Sequence, residues 1–353
     1  MKILFDHQIF DYVLGGASKY FVMLLNNLPR ESWESTTLVS SNEYVKGTNL
    51  MRYIPKMFKG QTVLMEKMNR PYTRYKLNKR DYDIFHQTNF GTYCLNALGD
   101  KPMVTTYHDS NLSTIDPHPE IVQQQKRSLE RANAIVCVSE NTKRDLLSFF
   151  DVDEKKIHVI YHGVIIPNME VLPKTPIVNA PYILYVGRRS KYKNFTRLAK
   201  VFSRLKREYV SLKLVCTAEP FSKEEYALFE QLHITNSIVH ISATEQMMRI
   251  LYRDALFMVF PSLYEGFGMP ILEAWSCNCA VALSDTSCFP EIAETAGLYF
   301  NPLSDDDMFV KIKQLIDDNE LRSELIKRGQ SRLKFFSWER CAYEHYNLYK
   351  SLL

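Results

Sequence analysis

Short apolar runs alternate with amphipathic stretches along the whole chain, and that alternation limits what it can fold into. Tyr182–Gly187, Ala255–Phe260 and Ala280–Leu283 are apolar without polar alternates, the pattern of parallel strands covered on both faces. Segments of helical period, such as Phe195–Glu208 and Glu245–Arg253, lie between them. Strands that alternate with helices argue for an α/β architecture on parallel sheets. In the first half, strands are expected at Lys2–Asp6, Thr36–Ser40, Ile84–Gln87, Met103–Tyr107, Ala134–Val138 and Ile157–Ile160. Helices are expected from Gly15-Gly16 to about Leu28, over Glu120–Arg131 and over Asn141–Phe150. The second half repeats the scheme, with further strands at Leu212–Cys216, Ile238–Ile241 and Leu298–Phe300. Its remaining helices are expected at Lys223–Gln231, Met269–Ser276 and Asp305–Asp318.

Pro167, Pro173, Pro176 and Pro181 punctuate the stretch between the two series, which reads as a linker. The expected division is residues 1–165, a linker 166–180, a second domain 181–337 and a closing helix 338–353. At 353 residues the chain is long enough for two such domains. Two doubly wound domains imply a cleft, because ligands of such folds bind beyond the carboxyl ends of the strands.

Composition excludes several classes. Met1–Phe10 contains Asp6 and His7, so it cannot serve as the apolar core of a signal peptide. No uninterrupted apolar run approaches the roughly 18–20 residues of a membrane span. Seven scattered cysteines favour reduced thiols and a cytoplasmic setting. Cys277, Cys279 and Cys288 match no common zinc spacing and read as buried structural thiols.

The net charge of +4 is unevenly placed. From Lys46 to Arg80 the basic residues are Lys46, Arg52, Lys56, Lys59, Lys67, Arg70, Arg74, Lys76, Lys79 and Arg80, with Glu66 the one acid among them. Tyr and Met side chains are interleaved. The stretch suits an anionic membrane surface or a polyprenyl-diphosphate acceptor, and equally a solvated basic helix with an apolar core face. Nucleic acid ranks below these readings, because no other signal for it is present.

The chemistry concentrates in Pro261–Ala274, which follows the apolar run ending at Phe260. Gly266 and Gly268 let the backbone approach a ligand, and Pro270 suits the first turn of a helix. Free N–H groups and the helix dipole make such a turn a site for a diphosphate. Glu265 and Glu273 bracket it with seven residues between them. Carboxylates beside a diphosphate would repel it, so they should meet neutral hydroxyls on either side. A nucleotide-sugar has that layout.

This segment resembles the E-x7-E signature of retaining GT-B glycosyltransferases, in particular glycosyltransferase family 4. The resemblance implies that Glu265 contacts the donor sugar and Glu273 the ribose. It implies that amides from Gly266, Phe267, Gly268, Met269, Pro270 and Ile271 line the sugar and diphosphate. The implied fold is α/β: two Rossmann-like doubly wound domains facing across a cleft, with a C-terminal helix crossing back to the first. Trp338–Leu352, introduced by Ser337-Trp338-Glu339, would be that helix.

In the family an Arg follows the glycine after the first strand of the second domain, with a Lys five residues later. These map to Arg188 and Lys193, as diphosphate ligands that stabilise the departing nucleotide. Arg189 and Lys191 read as residues of a basic surface loop. His108, at the end of Met103–Tyr107, corresponds to a family histidine that would hydrogen-bond the donor sugar. His86 has a similar strand-end position with less support. Gly16, in the loop before the first helix, would give an amide to phosphate, while Ser139 and Thr142 read as a helix cap. Asn278 stands where the family carries Gly, and Asn tolerates the left-handed conformation needed there.

The implied activity is retaining transfer of a mannose- or glucose-type hexose from a GDP- or UDP-linked donor. The acceptor would be a glycan or a polyprenyl-diphosphate-linked glycan in surface polysaccharide synthesis, at or near the inner face of the cytoplasmic membrane. No cofactor is implied. Asp81-Tyr82-Asp83 and Asp151-Val152-Asp153 have a metal-binding pattern but sit in polar turns, and Arg188 and Lys193 make a metal unnecessary. A GT-B epimerase or hydrolase, and a non-catalytic nucleotide-sugar-binding subunit, are the alternatives. No dinucleotide fingerprint follows either opening strand.

Overall fold

The computed structural model describes residues 1–109 and 118–353. The chain divides into two units, Met1–Gly163 with Ser337–Leu353, and Val164–Phe336. In the first unit the strands are β1 (Ile3–Phe5), β2 (Trp33–Ser35), β3 (Val39–Ser40), β4 (Arg52–Tyr53), β5 (Ile84–Gln87), β6 (Met103–Tyr107), β7 (Ala134–Cys137) and β8 (Ile157–Val159). Six of them form a parallel sheet in the order β2-β1-β5-β6-β7-β8. Helices α1 (Gly16–Asn27), α2 (Gln61–Lys79), α3 (Pro119–Arg131) and α4 (Glu140–Phe149) connect them. Ser139 caps α4, its hydroxyl accepting from the Thr142 amide at 3.0 Å.

The strand expected at Thr36–Ser40 is a correction. The sheet takes Trp33–Ser35 instead, because Trp33 brings an indole edge-on to Phe5 with ring centres 6.5 Å apart. The chain leaves the sheet at Thr36, whose hydroxyl is satisfied by Thr73 at 2.7 Å. Val39–Ser40 pairs only with Arg52–Tyr53, as a separate two-stranded ribbon.

In the second unit the strands are β9 (Tyr182–Tyr185), β10 (Lys213–Cys216), β11 (Ile238–His240), β12 (Phe257–Phe260), β13 (Val281–Ser284) and β14 (Leu298–Phe300). Their order, β11-β10-β9-β12-β13-β14, is parallel throughout. It is the doubly wound order in which the winding reverses between the first and fourth strands. The helices are α5 (Phe195–Glu208), α6 (Lys223–Gln231), α7 (Glu245–Asp254), α8 (Met269–Ser276), α9 (Phe289–Ala293), α10 (Asp305–Asp317) and α11 (Asn319–Leu333). The Pro-rich stretch packs with this unit, where Arg253 donates to the Pro173 carbonyl at 2.8 Å.

Helix α11 is additional to the helices expected above, and it carries Gly329 in its interior. The fold requires that glycine: a Cβ there would lie 2.3 Å from Cδ1 of the buried Trp275. At the end of α8, Asn278 adopts φ 59°, as expected for a residue replacing glycine. Its amide bonds to the Trp275 carbonyl at 3.0 Å and the Cys279 amide to the Ala274 carbonyl at 2.9 Å. Those two bonds form the Schellman closure of the helix.

The closing helix, α12 (Trp338–Ser351), belongs to the first unit. His345 uses Nδ1 to donate to the Cys341 carbonyl at 2.7 Å, so its Nε2 accepts from the Tyr20 hydroxyl at 2.7 Å. Tyr349 bonds His86 Nδ1 at 2.6 Å, and Thr106 bonds His86 Nε2 at 3.0 Å. His86 is therefore a buried structural residue. Burial lowers the His345 pKa to about 4 and holds His86 well below the ordinary value. All seven cysteines are buried and unpaired.

Two stability predictions follow from these contacts. Asn278→Val should cost about 1–2 kcal/mol in urea unfolding, and Asn278→Gly almost nothing, because only a β-carbon is penalised at positive φ. The buried histidines are neutral when folded but take a proton near about pH 6.5 when unfolded. Their stabilisation is complete above that pH and is lost as pH falls toward the folded value of about 4 for His345. The urea midpoint at pH 5 should therefore lie well below that at pH 7.5.

Candidate active site at the strand switch point

In a doubly wound sheet the loops after the two strands flanking the reversal splay apart and leave a crevice. Here those strands are β9 and β12, and their loops carry Lys193 and Glu265. The Lys193 ammonium and a Glu265 carboxylate oxygen form an ion pair at 2.5 Å, with the side chains only 16% and 13% exposed. Lys193 also lies against the faces of Tyr192 and Phe260, at 5.1 and 5.7 Å from the ring centres. The loops are tied by the Leu263 amide, which donates to the Tyr192 carbonyl at 2.7 Å. The Ser287 hydroxyl holds the Glu265 backbone from both sides, accepting from its amide at 3.0 Å and donating to its carbonyl at 2.7 Å. Sequence reasoning missed Ser287, although its position just after β13 was a usable signal.

Gly268 caps α8 at φ 87°. A Cβ there would come within 3.1 Å of Ile271 and 3.3 Å of Phe289, so both conformation and space call for glycine. The amides of Gly268 and Met269 have no partner among the described residues, and they lie at the positive end of the helix dipole. Two residues named from the pattern need correction as amide donors. Pro270 has no N–H, and the Ile271 amide already donates to the Gly268 carbonyl at 2.9 Å. The Phe267 ring is buried and packs edge-on against Phe336 at 5.9 Å, so of this residue only backbone can face a ligand. At the far side of α8, the buried Tyr252 hydroxyl donates to Glu273 at 3.1 Å.

The adjacent arginines after β9 have opposite fates. Arg188 is 72% exposed and pairs with Glu219 at 3.0 Å. Arg189, expected on a basic surface loop, is 5% exposed. Its guanidinium pairs with Glu225 at 2.5 Å and donates to the carbonyls of Thr217, Glu219 and Pro220. It braces the β9 loop against the loop after β10, because a buried guanidinium must find acceptors for its fork of donors.

His108 and Gly16 lie in the first unit. His108 follows β6 with its ring 4.9 Å from that of Tyr20, edge to face. Its Nε2 is buried without a hydrogen-bond partner among the described residues. Burial, with the neighbouring His345, lowers its pKa to about 3, so it is a neutral hydrogen-bonding group. Gly16 begins α1, and its amide has no partner among the described residues. The Asp81 and Asp153 carboxylates are engaged elsewhere, Asp81 with Lys2 at 2.8 Å and Asp153 as the cap of a short turn. No cluster of metal-binding side chains occurs among the described residues.

The two arginines make a direct test of this geometry. Arg189→Ala should cost roughly 3 kcal/mol or more in denaturant unfolding, because Glu225 would lose its partner. Arg188→Ala should stay within about 0.5 kcal/mol of the wild type.

The family model for Glycosyltransferase Family 4 matches residues 14–166, and that for Glycosyl transferases group 1 matches residues 170–332. The chain is 28% identical to the O-antigen chain mannosyltransferase B of Escherichia coli over the full length of both. Over 58% of this chain and 57% of the other, it is 28% identical to a Campylobacter jejuni protein. That protein is named N-acetylgalactosamine-N,N'-diacetylbacillosaminyl-diphospho-undecaprenol 4-alpha-N-acetylgalactosaminyltransferase. Among solved structures, Anabaena HepE in complex with UDP and glucose superposes with a TM-score of 0.80 at 16% identity, covering 99% of this chain and 100% of that one. With two models spanning both halves and a shared fold, the chain belongs to the GT-B glycosyltransferases of family 4, group 1.

Proposed function

We propose that this glycosyltransferase moves a mannose- or glucose-type hexose from a GDP- or UDP-linked donor, with retention. The acceptor is a hydroxyl of a glycan or of a polyprenyl-diphosphate-linked glycan, in surface polysaccharide synthesis. The Lys193–Glu265 pair carries this reading. It puts one cation and one carboxylate at the switch point, beside the open amides of Gly268 and Met269. The two relatives described above, one named for O-antigen and the other for a diphospho-undecaprenol acceptor, support the acceptor class.

Lys193 neutralises Glu265 across their ion pair. A bound diphosphate carries more negative charge and competes for the ammonium, which leaves the carboxylate to accept hydrogen bonds from sugar hydroxyls. Lys193, the two amides and the α8 dipole then meet the charge that grows on the departing phosphate. Arg188 reaches the phosphates by giving up Glu219, an exposed pair of low cost. Glu273, held by Tyr252, reads the ribose hydroxyls; the family resemblance assigns His108 a bond to the donor sugar and Gly16 an amide to phosphate.

The anomeric carbon loses its bond to phosphate and gains one to the acceptor oxygen on the same face. The acceptor proton passes to the departing phosphate oxygen. No divalent ion is needed, since the cations and amides already present meet the diphosphate. The reading includes peripheral contact with the membrane; none of the described helices is long and apolar enough to span a bilayer.

The first test is thermal melting with nucleoside diphosphates and nucleotide-sugars in EDTA. A ligand at about 100 times its Kd should add roughly 2.7 kcal/mol of stability, for one base only. No response to any of them would sink the donor-site assignment, and a response that EDTA abolishes would sink metal independence. Glu265→Ala should lower turnover by at least about 10²-fold, the scale for one preorganised electrostatic contact. The same variant should bind nucleoside diphosphate no more weakly than wild type, because it removes the competitor for Lys193. Lys193→Ala should lose both binding and turnover.

A further inference from the structure

The outward side of α2 has no counterpart in the transfer chemistry. The helix buries Gln61, Met65, Asn69, Thr73 and Leu77, a stripe at every fourth position. Away from that stripe, Leu64, Met68 and Tyr75 align at helical spacing, and each is about half exposed. Lys67, Arg70 and Arg74 form a second stripe beside them. The segment leading into the helix adds Met57, 73% exposed, and Phe58, with Lys56 and Lys59 flanking them. Glu66 is the one acidic residue of the helix.

Arg74 also lines a pocket of about 540 Å³ beneath this face, between α2, the turn Thr92–Ala97 and α3. Arg127, Arg131 and Asn96 line it too, and Glu130 is the only carboxylate among its described lining residues. Arg131 is fixed by the carbonyls of Gly99 and Lys101, at 2.8 and 2.9 Å. Neither Arg74 nor Arg127 has an ion-pair partner among the described residues. Guanidinium groups gathered around one carboxylate repel each other unless an anion joins them, and phosphate oxygens match their geometry.

We propose that this face docks on an anionic phospholipid bilayer. Met57, Phe58, Leu64 and Met68 enter the interfacial layer, while Lys67, Arg70, Arg74 and Arg127 hold lipid phosphates. The inference deepens the peripheral-membrane part of the reading above. Charge decides the occupant. Across a twofold contact with a second copy the basic stripe would face itself, whereas an anionic bilayer complements it. A nucleic-acid backbone would leave the apolar stripe facing phosphates. A bilayer takes both stripes at once, as interfacial amphipathic helices do.

Flotation of the full chain with vesicles tests it, comparing phosphatidylglycerol-rich with pure phosphatidylcholine membranes at physiological ionic strength. The wild type should float with the first and not the second. Leu64→Asp with Met68→Asp, and Lys67→Glu with Arg74→Glu, should each lower the bound fraction by about tenfold or more. Arg207→Glu with Lys223→Glu, an equal charge change on the second unit, should bind as wild type. If the Asp pair lowers the melting temperature, Leu64→Ser with Met68→Ser carries the same test.

Wild type that fails to float, or α2 variants that float undiminished, would overturn the proposal. So would a wild-type dimer that the apolar variants dissociate while vesicle binding persists. The vesicles contain no acceptor or donor, and the nucleotide melting shift is read on the same variants. Failure of the membrane face is thus distinguishable from failure of the donor site.

Discussion

One ion pair organises the crevice at the strand switch point of the second unit. Lys193 and Glu265 come from loops far apart in the chain, and they meet because β9 and β12 are neighbours at the point where the sheet reverses its winding. Both side chains are largely withdrawn from water, so neither charge is tolerable there without the other or a ligand in its place. In the proposed reading, a donor diphosphate takes the place of the carboxylate beside that cation.

The placement is made by backbone contacts. Ser287 clamps the Glu265 peptide, the Leu263 amide ties one loop to the other, and Arg189 anchors the β9 loop through a set of carbonyls. Gly268 lets the chain turn sharply into α8 and leaves amides open at its start. In the first unit the closing helix has an equivalent structural task. His345 and Tyr349 satisfy Tyr20 and His86 inside the core, which ties the end of the chain to β5 and α1 and keeps those imidazoles neutral.

Much of the candidate site's local geometry was legible because its signals are local. The string from Pro261 to Ala274 contains a strand end, two glycines, a helix start and two carboxylates within one loop and turn. Asn278 could be assigned its left-handed conformation from the end of the helix alone. The readings that needed correction depend on distant groups or on backbone chemistry. Arg189 looks like its neighbour Arg188, and nothing nearby says that Glu225 and three carbonyls await it. Pro270 and Ile271 belong to the right turn, but one lacks a donor and the other spends it on Gly268.

The sequence by itself determined the α/β class, most strands and helices, the family motif and the caps, since each is set by periodicity or by residues a few positions apart. Tertiary structure decided which stretch became β2, where Trp33 against Phe5 outweighed the strand expected at Thr36–Ser40. It also decided which arginine is buried, which histidines are structural and which carboxylate faces Lys193. Those outcomes depend on strand order, and strand order follows from burial summed over a whole sheet. No short window of sequence contains that sum.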